Sequence, residues 1–128
     1  MTNKFTLLSE TDFKILQIVI EEPMPIMNLV SKLGLVHTHI LDRLYNLQKN
    51  NLIDRNKVGR TVLISATIWG CYYYLLTHQM WQLGKEDYRL FKVEKNQIII
   101  TANHNIKKIA PKIIKRIEII QKQKTRKN

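Results

Sequence analysis

Between Leu33 and Thr67 the apolar residues change period, and that change restricts the fold more than any other feature of the chain. From Thr38 to Lys49 they recur at spacings of three and four, with Ile40, Leu41, Leu44 and Leu47 on one side and His39, Arg43 and Asn46 on the other, as in an amphipathic helix. Asn50-Asn51 closes that helix, because asparagine tolerates the left-handed backbone of a helix end, although glycine does so more easily. Leu52–Val58 and Thr61–Ala66 then read as strands. Gly59-Arg60 joins them, with the glycine supplying the positive φ of a tight hairpin.

Two more helices are expected upstream. Ser9 precedes Glu10 and Asp12, a capping hydroxyl followed by acidic residues that suit the positive end of a helix dipole. The helix predicted from Glu10 to Glu22 places Phe13, Ile15, Leu16, Val19 and Ile20 on a wide apolar face, and Pro23 ends it. Pro25 to Leu33 reads as a second, short helix with Ile26, Leu29, Val30 and Leu33 on one side and Gly34 as its stop. Three short helices followed by a hairpin carrying Arg55, Lys57 and Arg60 form the sequence pattern of a winged helix.

The stretch from Leu33 to Thr67 resembles the helix-turn-helix and wing of the MarR-like winged-helix regulators of bacteria and archaea. Leu33, Gly34, Leu35, Ile40, Leu44, Leu47, Leu52 and Ile53 occupy the positions that carry the resemblance. It departs from that pattern at Val36, where Ser or Thr usually caps the recognition helix and whose loss could delay its start to His37 or Thr38, and at Asn51, which replaces a glycine. The resemblance implies a mostly helical α+β fold, with a winged helix-turn-helix over residues 1–68. It also implies a sequence-specific regulator of transcription that binds double-stranded DNA as a homodimer. In such a protein the base-reading candidates are His37, Thr38, His39, Asp42, Arg43 and Asn46, and the wing contacts are Arg55, Lys57 and Arg60. Arg43 stands out because its planar fork can bind guanine through two hydrogen bonds; the alternative is a salt bridge to Asp42 or Asp54.

Residues 69–128 read as a helical extension with a basic tail. From Trp69 to Leu83 a helix would carry Tyr72, Leu75, Leu76, Met80 and Leu83 in one stripe, more apolar than a lone surface helix should be. A dimer interface or a cover for the domain core suits it better than a small-molecule pocket. Arg89–Glu94 and Gln97–Thr101 could pair across Lys95-Asn96. Beyond them Ile106, Ile109, Ile113, Ile117 and Ile120 form a second amphipathic stripe, in which Pro111 either kinks the helix or starts it one turn later. Tyr72, Leu76, Ile113, Ile117 and Ile120 are therefore candidates for contact with a second copy. The same helix could instead lie on an anionic membrane, and Gln121–Asn128 are expected to fray and to add phosphate contacts.

The net charge of +11 suggests a polyanionic partner, nucleic acid first. Its distribution tempers that inference: residues 1–68 hold 8 Lys/Arg against 6 Asp/Glu, and residues 105–128 hold 9 against 1. A basic tail suits RNA or an anionic membrane equally well. The single cysteine, Cys71, can form no intramolecular disulfide and no cysteine-based zinc site, which fits a reducing, cytoplasmic setting. The first dozen residues include acidic ones and do not read as a signal peptide; His78, Gln79 and Gln82 interrupt the longest apolar run. No phosphate-binding loop, metalloprotease or serine-hydrolase motif occurs, so neither an enzyme nor a cofactor is expected. His37 and His39 would diverge on a helix, which argues against a shared metal. The reading from another class is a winged-helix protein-interaction module within a replication or transcription complex.

Overall fold

The computed structural model describes residues 8–83, 91–95, 97–100 and 111–126. Helix α1 spans Glu10–Glu21, and the Ser9 hydroxyl accepts a hydrogen bond from the Asp12 amide at 3.1 Å, as the capping pattern predicts. Strand β1 follows at Met24–Pro25, a two-residue element with no periodicity by which the sequence could announce it. Pro25 lacks an N–H and can stand only where no ladder donor is needed, so it occupies a sheet edge and then caps helix α2, Ile26–Leu33. Gly34 takes φ 65° and ends α2 in the left-handed region.

Helix α3 runs His37–Lys49 and starts at Val36 without any side-chain cap. Its Ile40, Leu44 and Leu47 are buried. The left-handed residue that turns the chain out of α3 is Asn51, at φ 61°. Strands β2 (Ile53–Val58) and β3 (Thr61–Ala66) pair antiparallel, Ile53 opposite Ala66 and Val58 opposite Thr61, around Gly59 at φ 65°. β1 joins the other edge of β3, which gives the sheet order β1-β3-β2.

Helix α4 spans Ile68–Leu83, β4 (Phe91–Glu94) pairs with β5 (Gln97–Ile100), and helix α5 spans Pro111–Arg126. Pro111 therefore opens the last helix, where its missing N–H costs nothing, and does not kink it. The helix continues to Arg126, and the Gln121 side-chain carbonyl accepts from the Ile98 amide at 2.6 Å; Lys127 and Asn128, the end of the stretch expected to fray, lie outside the described residues. Arg89, Thr101, Ile106 and Ile109 lie outside the described residues.

One apolar cluster runs through all these elements. Phe13, Ile15, Leu16, Val19 and Ile20 of α1 meet Leu29, Ile40, Leu44, Leu47, Ile53 and Ile64 on one side. On the other, α4 and α5 pack against α1, and the same cluster continues through Cys71, Tyr74, Leu75, Leu76, Ile113, Ile114 and Ile117 to Phe91 and Ile98 of the β4–β5 hairpin, which packs on α4. Phe13 and Tyr74 stack with ring centroids 4.4 Å apart, and burial pushes the Tyr74 phenol up to about 12. The core thus crosses position 68 without interruption.

This packing corrects part of the expected dimer surface. Leu76, Ile113 and Ile117 lie inside the chain's own core, because the apolar face of α1 is wide enough to take α4 and α5 as well as the helix-turn-helix. Tyr72 and Ile120 remain half-buried. Ile114 of α5 is likewise buried in this core, whereas Ile119 is exposed. Among the described residues no helix is long and apolar enough to cross a membrane.

Candidate nucleic-acid interface

Burial of Ile40, Leu44 and Leu47 fixes which face of α3 meets solvent. His37, Thr38, His39 and Asp42 are exposed, and Asn46 is half-buried at the margin. Thr38, Asp42 and Tyr45 follow one another at four and three residues and so form a single ridge. Tyr45 is 66% exposed, a large ring on the solvent face of the helix, and was missed from sequence. Its position three residues after Asp42, outside the apolar stripe, was the available signal.

Arg43 does not share that exposure. Its Nε donates to Asp12 Oδ1 at 2.8 Å and its Nη2 to Asp12 Oδ2 at 2.6 Å, so the fork grips both carboxylate oxygens. The partner is neither Asp42 nor Asp54, the two weighed from sequence, but a residue of α1 lying 31 positions earlier. These hydrogen bonds raise the guanidinium pKa above its ordinary value. The Asp12 side chain is 8% exposed and that of Arg43 28%.

The hairpin of β2 and β3 forms the second part of the surface. Ile53 and Ile64 at its base are buried, whereas Asp54 through Thr61 are all exposed, so the ribbon leaves the body of the protein. Paired residues share a face, and Arg55 lies opposite Ile64 while Lys57 lies opposite Val62. Both cations therefore continue, beyond the core, the face on which Ile53 and Ile64 pack. Arg60 sits at the turn beside Gly59.

Thr67 fastens the base of the ribbon. Its hydroxyl donates to the Asn51 carbonyl at 2.7 Å and accepts from the Gly70 amide at 3.1 Å, while its amide donates to the Leu52 carbonyl at 3.1 Å. The exit of α3, the start of β2 and the start of α4 are thereby joined at one residue. Only Asn50, Asn51 and Leu52 separate α3 from the wing, so the two exposed surfaces have a fixed relation.

A helix of 13 residues is about 20 Å long and, with its side chains, about 10–12 Å wide, dimensions that the major groove of B-DNA accepts. No group of three or more His, Cys, Asp or Glu side chains able to hold a metal ion occurs among the described residues, and Cys71 is buried.

The winged-helix architecture is shared with regulators of known structure. The chain superposes on the transcriptional regulator BldR from Sulfolobus solfataricus with a TM-score of 0.56 and 24% identity, over 59% of this chain and 57% of that one. It superposes on ZitR from Lactococcus lactis, solved in complex with DNA, with a TM-score of 0.51 and 22% identity, over 58% of this chain and 53% of that one. The chain thus spans a little over half the length of each. At these identities the likeness is one of fold. No protein-family model matches the sequence, and no curated protein does.

Proposed function

We propose that this protein is a cytoplasmic, sequence-specific regulator of transcription, MarR-like in the broad sense, that binds double-stranded DNA as a homodimer and carries out no catalysis. The observation that carries the proposal is the joint exposure of the α3 ridge and of three wing cations, with the core behind both. That ZitR was solved in complex with DNA supports the same use of the shared fold.

In this reading α3 lies in the major groove. Thr38 and His39 offer polar contacts to base edges, Asp42 accepts from a cytosine amino group, and the Tyr45 ring packs on a thymine methyl. Asn46 reaches the groove margin. Arg55, Lys57 and Arg60 run along the backbone or into the minor groove, supplying affinity that carries little sequence information. A homodimer would place two α3 helices on half-sites about 34–36 Å apart. With Leu76, Ile113 and Ile117 used internally, its contact surface falls to half-buried Tyr72 and Ile120 and to exposed Trp81 and Ile119.

Selection of duplexes from a random pool, together with the solution mass, tests this. The expected result is a two-fold symmetric motif bound by a dimer, with affinity falling steeply as salt rises. A monomer that selects no motif would favour the protein-interaction module, a reading supported by exposed Met27 in the first turn of α2 and exposed Val36 at the start of α3, 61% and 69% accessible.

A further inference from the structure

We propose that Arg43 is a positioning residue, whose grip on Asp12 sets the angle at which α3 is presented to duplex DNA, and that base reading falls to the exposed ridge beside it. The proposal rests on the DNA-binding reading above and deepens it.

The bond to Asp12 limits how far the guanidinium can move. Nε–H and one N–H of Nη2 are both committed to Asp12, and the carboxylate they satisfy is nearly buried. Swinging Arg43 toward a guanine would leave that buried charge without its partner, which is far more costly than losing an exposed contact. Asp12 is itself held, because its amide donates to the Ser9 cap in the first turn of α1. The anchor for α3 is therefore a fixed point on the scaffold and not a mobile side chain.

A second observation gives the pair its purpose. The turn of α3 that enters the groove begins at Val36, which has no side-chain group to fix the helix start. The apolar contacts of Ile40, Leu44 and Leu47 resist separation of the helix from the body, but such contacts are non-directional and set its rotation only loosely. A bidentate arginine-carboxylate pair is planar and directional. It supplies, from the middle of the helix, the orientation that the absent cap does not.

The test is duplex binding by wild type, D12A, R43A and the double variant, measured well below their unfolding temperatures, with a random-pool selection for R43A. Each single variant is expected to bind the wild-type motif at least tenfold more weakly. The double variant should bind no more weakly than the poorer single one, and R43A should select an unchanged motif. A purely stabilising role would leave the affinity of the folded molecules unaltered and overturns the proposal. So does a base-reading Arg43, recognised by a motif relaxed at one position in R43A and undiminished affinity in D12A. Should D12A fail to fold, the isosteric D12N makes the same comparison with the same expected loss. Wild-type protein that binds no duplex overturns the DNA-binding reading together with this one; a binding wild type with unaffected D12N or D12A overturns the positioning role alone.

Discussion

The carbonyl oxygen of Leu52 occupies the space that a Cβ on Gly70 would need. Gly70 lies in the first turn of α4, against the backbone where α3 gives way to the wing, and Leu16 of α1 closes the same space. Gly70→Ala improves helix propensity by about 1 kcal/mol, but the obstructing atom is backbone and also accepts from the Thr67 amide, so it cannot yield cheaply. Forcing the contact costs about 1–3 kcal/mol or more. We expect a net loss of stability, read as a lower urea midpoint. Gly59→Ala at the wing tip has open space around it and should lose only the left-handed backbone term, about 1–2 kcal/mol.

Thr67→Ala removes the cap of α4 and the link to Asn51 in one step. The Asn51 carbonyl is exposed and water replaces its donor, so the cap dominates and the expected cost is about 1 kcal/mol. Thr67→Ser keeps the hydroxyl and should recover most of it. Equal losses in the two variants would show that the methyl group, and not the hydrogen bonds, holds this corner.

Signals confined to a few residues were legible in the sequence. The Ser9 cap, the stops at Gly34 and Asn51, the Gly59 turn and the apolar stripe of α3 each depend on neighbours within one or two turns, and the structure has them in place. What depends on distant partners was not legible. Arg43 had two acids near it in sequence and chose a third, 31 residues away, which only the packing of α1 on α3 brings close. The stripes on α4 and α5 announced that something must cover Leu76, Ile113 and Ile117. Periodicity cannot tell a second copy from the same chain, and α1 turned out to supply that cover. Tyr45 lay outside the apolar stripe and was passed over because aromatic residues are usually sought in the core.

The wing makes a prediction that is independent of sequence preference. If Arg55, Lys57 and Arg60 each neutralise one phosphate, replacing all three by Ala lowers the slope of log affinity against log salt by about 2.7, at 0.9 per phosphate. All three side chains are exposed, so stability should change little, within about 0.5 kcal/mol for each site. A salt slope identical to that of the wild type would remove the wing from the interface even if the affinity had fallen.

His78 makes the stability pH-dependent. Its ring lies beside Phe13 and Tyr74, at centroid distances of 6.2 and 6.0 Å, and its Nδ1 is buried without a hydrogen-bond partner among the described residues. Burial lowers its pKa below the ordinary 6.5. The unfolded chain, in which the ring is solvated, therefore takes up a proton at a higher pH than the folded one. Below 6.5 the unfolded state binds more protons, and stability falls with pH until the folded protein also titrates. Above 6.5 this contribution is constant. His78→Phe keeps a ring in the stack and removes the titration, so its urea midpoint should drop less than that of the wild type between about pH 7.5 and about pH 5. Parallel midpoint curves would mean that the His78 ring is hydrated in the folded protein, and that the contact between α1 and α4 is looser than its stacking geometry implies.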